Sequence, residues 1–452
     1  MKKNLFNEYN RIFFIGVGGI SMSALCQLAV HFGADCAGSD VTMSHITNNL
    51  IRIGVKVFGE HNSINIKTFK PNLVVYTGAI SSENPELLLA KKLNIKCLER
   101  ADFLGLVCNQ FNNVIAIGGT HGKTTTSAMI SEIFVEAKLN PTCHIGGEVK
   151  NFNSNLRLGD NNYFITEACE YKKSFEKIYS VCAVVTNIER DHMDCYTNIN
   201  DLRNAFKIFS ENSSEHLVSG DLKLPYEVNK KLNVCTCGVA DYYDYYADNL
   251  ISNNGCYEFD CYEFGKFLMH FKLKCMGKYN VKNALYAICV ARKFNIELNC
   301  IYNALINFNG VKRRNEFMGE INGVPVYADY CHHPTEIKSS ILGYSEIYKN
   351  ILCIFQPHTY SRTIALKKEF STCFEKVKKL IVFKTYPARE KYNHSGSETA
   401  LFKKVKLKNK VLALTESELK NELKINKNNY DVILVLGAGD LYNLFEDLNN
   451  FN

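Results

Sequence analysis

Apolar residues recur along the chain in two rhythms, as short unbroken runs and as longer stretches at helical spacing. Residues 12–15 form the first run, the turn at Gly16, Gly18 and Gly19 follows, and Met22, Leu25, Leu28, Ala29 and Phe32 then share one helical face that Gly33 closes. This reads as a strand feeding a helix through a tight turn. Leu73–Tyr76 is a second run, entering the polar loop TGAISSENPE. A third begins at Ile115 and leads into GGTHGKTTT, after which Met129, Ile130, Ile133, Phe134 and Ala137 mark another helical face. Residues 163–166 run into EACEYKKSF, residues 181–185 into TNIERDHMD, and Val432–Leu436 into LGAGD. Strands that are apolar on both faces and alternate with helices predict doubly wound parallel sheets, an α/β fold.

Composition bounds what such sheets serve. With 452 residues and 46% hydrophobic content the chain can bury several cores, and at ~150 residues each that is about three domains. We place them at residues 1–110, 111–311 and 312–452, with breaks before the Ile115 strand and at NFNGVKRR. No apolar run nears the ~20 residues a bilayer crossing needs. Glu8 and Arg11 interrupt the N-terminal stretch, so the expectation is a cytoplasmic protein without membrane insertion. The 18 cysteines are scattered with no C-x-x-C pair, which predicts small buried thiols rather than disulfides or zinc. A net charge of +7 suits anionic ligands. Lys and Arg are nevertheless interspersed with Asp and Glu, and no nucleic-acid module accompanies them, so no nucleic-acid partner is expected.

Both glycine-rich turns carry phosphate chemistry. Gly16, Gly18 and Ser21 fit G-x-G-x-x-G with serine at the third position, and Asp40 follows at the distance of a ribose ligand. Taken alone, that pattern reads as the cofactor site of a nicotinamide oxidoreductase. In the second loop, backbone N–H groups of Gly119, Thr120, His121 and Gly122 at a helix start would cradle phosphate oxygens. Lys123 would neutralise the terminal phosphates, and the Thr124 hydroxyl, beside Thr125, would reach Mg²⁺. The strict P-loop pattern wants glycine where this chain has Ile117; its extra glycines fall at 118 and 119. Two phosphate loops imply two phosphorylated ligands, which favours an ATP-driven transferase over hydride transfer. Glu167, Glu170, Asp191 and His192 stand at strand ends, where oxygen and nitrogen donors can serve a divalent ion.

The ordered motifs FIGVGGISMSA, GTHGKTTT, EACE, TNIERDHMD, GKYNVKNAL, GVKRRNEF, DYCHHPTEI, FQPHTYSRT and LGAGD resemble those of the Mur ligase family along nearly the whole chain. That resemblance implies three domains: a Rossmann-like N-terminal domain, a P-loop-type central domain for ATP and Mg²⁺, and a Rossmann-like C-terminal domain that closes over the site. It implies that Gly16, Gly18, Gly19, Ser21, Asp40, Thr77 and Ala79 bind the UDP of a sugar nucleotide. Asn280 and Asn283 fall where the family holds adenine, and Arg314 and Asp329 complete the nucleotide site. Thr124, Glu167 and His192 would hold the metal. Lys123, His192, His333 and Arg362 would act on the reacting groups, with Tyr330 and His332 on the acceptor side.

The implied reaction joins L-alanine to the lactyl carboxylate of UDP-N-acetylmuramate through an acylphosphate, in peptidoglycan precursor synthesis. A recycling relative that adds a tripeptide to the same sugar nucleotide would carry nearly the same motifs, so the acceptor stays open. A nicotinamide oxidoreductase and a P-loop ATPase that drives movement or assembly rest on one loop each. Two positions depart from the family: Tyr279 replaces a common histidine, and Thr359 an arginine often found there.

Overall fold

The computed structural model describes residues 5–425 and 429–451. In RIFFI, strand β1 (Arg11–Ile15), four of five side chains are buried, as a strand covered on both faces by helices requires. Around it the first unit, Met1–Ile188 with Arg203–Thr236 and Cys289–Glu297, builds two sheets.

The first sheet adds β2 (Asp35–Ser39), β3 (Lys56–Phe58), β4 (Leu73–Tyr76) and β5 (Lys96–Glu99) in the order β3-β2-β1-β4-β5, with every pair parallel. Strand order reverses at β1 and β4, which puts the ligand crevice of such a sheet at their carboxyl ends. The loop from Gly16 and the turn from Thr77 leave from those ends.

The second sheet of this unit comprises β6 (Asn113–Gly118), β7 (Thr142–Val149), β8 (Ser154–Arg157), β9 (Tyr163–Glu167), β10 (Ser180–Val185), β11 (Ser213–Ser219) and the start of β12 (Asn233–Gly238). Their order is β12-β11-β10-β6-β9-β7-β8, parallel except for the β7–β8 hairpin. The helix Lys123–Glu136 follows β6 and is buried almost all round. Its buried hydroxyls turn back on the helix, Ser127 Oγ donating to the Thr124 carbonyl at 3.1 Å and Ser131 Oγ to that of Ser127 at 2.8 Å.

The second unit, Glu189–Leu202 with Cys237–Ile288 and Leu298–Asn452, holds an antiparallel meander of β13 (Tyr245–Asn253), β14 (Cys256–Glu263) and β15 (Lys266–Met276). No unbroken apolar run announces these strands; the alternating burial along β14 shows a period of two. A further sheet contains β16 (Glu316–Ile321), β17 (Val324–Asp329), β18 (Ile351–Phe355), β19 (Lys379–Phe383), β20 (Lys410–Ala413) and β21 (Val432–Leu436), ordered β16-β17-β21-β18-β19-β20. Only β16–β17 is antiparallel. In β18 and β21, Ile351, Cys353, Phe355, Val432, Leu434 and Leu436 enter one apolar core, and Leu352, Ile354, Ile433 and Val435 the other. The unbroken run VILVL is thus two interleaved faces.

The expected α/β architecture is present, with strand ends within two residues of the runs that predicted them. All 18 cysteines are free. Among the described residues no helix is long and apolar enough to cross a membrane.

Candidate active site

In the first loop, the N–H groups of Gly16 and Val17 donate to the Ser39 carbonyl at 2.8 and 3.1 Å, folding the turn onto the end of β2 before the helix Ile20–His31. Gly18 donates its N–H to Asp40 Oδ2 at 2.9 Å, and Thr42 donates to Oδ1 at 2.9 Å. Asp40 therefore stands against the loop with both oxygens partnered by backbone. Thr77 and Ala79 form the turn after β4, Ala79 N–H donating to Thr77 Oγ1 at 3.4 Å. Ser21 faces two residues the sequence reading passed over: its Oγ lies 3.0 Å from His144 Nε2 and accepts from Arg100 Nη1 at 3.2 Å. Burial, with the Arg100 charge adding to it, pushes His144 down to about 3.

Ser39, the neighbour of Asp40, carries another unforeseen cluster. Its hydroxyl donates to Glu86 Oε2 at 2.6 Å, His61 Nδ1 lies 3.0 Å from the same oxygen, and Asn65 Nδ2 donates to Oε1 at 2.7 Å. Glu86 is 0% exposed, and a carboxylate is retained at such depth only when hydrogen-bonded.

At the second loop, Gly119 adopts φ +138°, and a Cβ there would lie 1.9 Å from Thr186 Oγ1. Only glycine fits. Thr186 and Asn187, just beyond β10, pin this loop: Thr120 donates to the Asn187 carbonyl at 3.0 Å, His121 N–H to Asn187 Oδ1 at 2.9 Å, and Thr186 Oγ1 to the His121 carbonyl at 2.6 Å. Gly122 is the left-handed N-cap of the helix that Lys123 begins, and Thr124 and Thr125 lie in its first turn. Lys123 Nζ curls back to the carbonyls of Gly119 and Thr120 and to Glu170, 3.0 Å from Oε1 and 2.9 Å from Oε2. Burial pulls the Lys123 pKa down, but Glu170, Cys169 and Glu167 outweigh it, so the ammonium is held above its ordinary value. Glu167 Oε1 accepts from Gly146 N–H at 2.7 Å and lies 3.4 Å from Ser127 Oγ. The Glu167 carboxylate and the Thr124 hydroxyl are hard oxygen donors of the kind Mg²⁺ takes.

The remaining expected residues belong to the second unit. His192 sits at φ +55° and donates its N–H to Asp191 Oδ1 at 2.8 Å. Arg362 Nε donates to the same oxygen at 3.2 Å, and its Nη1 lies 3.1 Å from His358 Nδ1. Burial pushes the Asp191 carboxyl up, but His192 and Arg362 outweigh it and hold it well below the usual carboxylate range. His358 was not singled out in the sequence; its position in QPHTYSR, four residues before Arg362, was the available signal. Burial pushes it down to about 4. Its ring stacks 5.6 Å from that of Tyr386 and lies 5.6 Å from that of His332.

His332 Nδ1 donates to the Tyr330 carbonyl at 2.9 Å, and burial pushes this imidazole down to about 3. That value makes it a poor acceptor for an amine proton at neutral pH. His333 caps the helix Pro334–Ser345: Nδ1 accepts from Thr335 N–H at 3.3 Å, and Nε2 donates to the Arg190 carbonyl at 3.2 Å. Both its nitrogens are engaged.

Arg314 and Arg313 lie over the Tyr330 ring at 5.0 and 4.9 Å. Asp329 accepts from Ser340 Oγ at 3.1 Å, and burial pushes it up to about 6 against the pull of Arg314. Asn280 donates to the Met276 carbonyl at 2.7 Å and accepts from Asn283 Nδ2 at 2.9 Å. The Tyr279 hydroxyl accepts from Asn315 Nδ2 at 2.5 Å. Thr359, the other departure, is left-handed at φ +65°, an outlier for a β-branched residue that points to a locally strained turn.

Comparison with known proteins finds three family matches along the chain. The Mur ligase family catalytic domain matches residues 11–112, the Mur ligase middle domain residues 117–291, and the Mur ligase glutamate ligase domain residues 313–439. The UDP-N-acetylmuramate–L-alanine ligase of Clostridium novyi (strain NT) is 40% identical over 459 residues, covering 99% of each chain. Among solved structures, the UDP-N-acetylmuramate-alanine ligase MurC of Thermotoga maritima has a TM-score of 0.82 at 26% identity, over 98% of each chain. A murein peptide ligase from Psychrobacter arcticus shares the fold, with a TM-score of 0.73 at 20% identity over 97% of this chain and 98% of its own. Three family matches in sequence order and a relative this similar from end to end lead to one conclusion: the chain belongs to the Mur ligase family.

Proposed function

We propose that this chain is an ATP-dependent ligase that joins L-alanine to the lactyl carboxylate of UDP-N-acetylmuramate, acting in the cytoplasm on a peptidoglycan precursor. The observation that carries the reading is the end-to-end relation, at 40% identity, to an enzyme named for that reaction. The murein peptide ligase likeness is one of fold, and no particular residue here favours a tripeptide acceptor. The family matches at 11–112, 117–291 and 313–439 support domain limits near 110 and 311.

The first loop takes the UDP diphosphate through Gly16, Gly18, Gly19 and Ser21, with Asp40, Thr77 and Ala79 beside it. The second takes ATP through Gly119 to Thr125. Asn280, Asn283, Arg314 and Asp329 complete the nucleotide site. Mg²⁺, when bound, neutralises phosphate charge, with Thr124, Glu167 and His192 as its proposed protein ligands. A carboxylate oxygen of the substrate attacks the γ-phosphorus and ADP leaves, giving an acylphosphate. The amine of L-alanine then attacks the acyl carbon and phosphate departs, leaving the amide. Lys123 stabilises charge on the phosphoryl group in flight, and Arg362, aimed by Asp191 and His358, does so at the acyl centre beside His192. Tyr330 and His332 line the acceptor side, and His333 positions them from the helix cap. The test is ADP formation in mixtures lacking one component each. Dependence on the sugar nucleotide and L-alanine together, with NAD without effect, is expected; ADP formation indifferent to the sugar nucleotide would remove the reading.

A further inference from the structure

Ser21 stands at the head of a hydrogen-bond chain whose direction is fixed by its last member, a backbone carbonyl that can only accept. Arginine can only donate, so the 3.2 Å contact from Arg100 Nη1 occupies a lone pair of Ser21 Oγ. A second lone pair remains on Ser21 Oγ, so it is the tautomer of His144, whose Nε2 lies 3.0 Å away, that decides where the Ser21 proton points. The Thr166 hydroxyl donates onward to the Glu167 carbonyl at 3.3 Å. Thr166 Oγ1 spends its proton on the Glu167 carbonyl and so accepts from His144 Nδ1 at 2.9 Å, which leaves Nε2 of the neutral ring to accept from Ser21. Every member donates forward and none competes.

The backbone makes the same connection. Two residues beyond His144 on β7, Gly146 donates its N–H to Glu167 Oε1 at 2.7 Å, and a Cβ on Gly146 would lie 2.5 Å from Glu167 Oε2. Asn155 of β8 donates to the carbonyl of Ile20, the neighbour of Ser21, at 2.9 Å. The β7–β8 hairpin thus touches the helix start that follows the first glycine turn at two points, Ile20 and Ser21, and the Glu167 carboxylate at a third.

We propose that His144 is a positioning residue that couples the first glycine loop to Glu167, so that binding at either loop strengthens binding at the other. The inference rests on reading the first loop as the sugar-nucleotide site and the second as the ATP site. A ligand that fixes Ser21 fixes the imidazole, and a fixed imidazole leaves Glu167 less to order when the metal nucleotide arrives. The coupling is reciprocal by thermodynamic necessity.

The test is calorimetric titration of the full chain with a non-hydrolysable ATP analogue and Mg²⁺, with and without saturating UDP-N-acetylmuramate. In the wild type the sugar nucleotide tightens analogue binding at least about fivefold. His144→Phe and Thr166→Val each cut that factor to under about twofold, and the double variant cuts it no further. Affinity for either ligand alone moves little. Thr166→Val keeps the side-chain shape and deletes only the hydroxyl, so it carries the test if His144→Phe does not fold. An unchanged coupling factor in the variants, with or without weaker binding of each ligand, overturns the relay while leaving the functional reading intact. A wild-type chain that binds the analogue and not the sugar nucleotide overturns that reading, and the relay with it.

Discussion

Lys123 Nζ lies within 3.0 Å of both oxygens of Glu170, and the two side chains are 17% and 3% exposed. A buried pair of this kind ties activity and stability together. Lys123→Ala is expected to lower turnover by ~10²- to 10³-fold by removing a fixed charge from the phosphoryl transfer. It is also expected to cost about 3–5 kcal/mol of stability, because Glu170 is left charged and uncompensated. Adding Glu170→Gln recovers most of the stability and none of the turnover. Denaturant midpoints and phosphate release on both variants separate the effects; near-normal turnover in either would remove Lys123 from the chemistry.

Arg362 spans two partners, Asp191 through Nε and His358 through Nη1. Lysine supplies the charge without that planar fork. Arg362→Lys should therefore lose nearly as much kcat as Arg362→Ala, about 10²-fold, and Asp191→Asn should lower kcat more than it raises KM. A fully active Arg362→Lys would show that charge alone suffices.

Acid sensitivity follows from three imidazoles held neutral. Burial pushes His144 and His332 down to about 3 and His358 to about 4, from an ordinary 6.5. Between about 6.5 and 4 the unfolded chain binds these protons and the folded chain does not, so stability falls with pH by up to about 1.4 kcal/mol per pH unit for each ring. Asp329, raised to about 6, works the other way, since its folded form takes up a proton first. Glu132 and His270, both raised, oppose the loss as well, His216, lowered by burial, adds to it, and the depressed Asp191 adds to it below about 4. Thermal midpoints should decline steadily from pH 7 to 5; a flat profile would mean the rings are not held neutral.

Glu86 accepts from Ser39, Asn65 and His61 at 2.6–3.0 Å. Glu86→Gln turns one acceptor into a donor facing donors, and is expected to cost about 2–4 kcal/mol in denaturant unfolding. A change below about 0.5 kcal/mol would mark the cluster as replaceable.

What the sequence made legible was local. VILVL, RIFFI and LVVY were recognisable as strands because burial on both faces leaves no polar position to blur the run. Lys123, Thr124 and Glu167 stand at the ends of such strands or in the helix start that follows, so motif and position agreed. The meander β13–β15 escaped because its polar face interrupts the apolar positions, leaving only a period of two in a Tyr- and Phe-rich segment. The supports of the site escaped for a different reason. Ser21 and His144 are 123 positions apart, and Ser39 and Glu86 are 47 apart; such pairings arise only when the sheets assemble, and no local pattern announces them. Thr186 and Asn187 could have been found, since they follow an apolar run directly in TNIERD.

The central claim is that ATP energy passes through the lactyl carboxylate before the amine of L-alanine attacks. It is tested most directly by supplying UDP-N-acetylmuramate with both lactyl carboxylate oxygens labelled with ¹⁸O, together with ATP, Mg²⁺ and L-alanine, and weighing the phosphate released. Attack of a carboxylate oxygen on the γ-phosphorus, followed by loss of phosphate to the amine, predicts one ¹⁸O in each phosphate formed and one retained in the amide product. Unlabelled phosphate, or release at the same rate without L-alanine, would contradict the account.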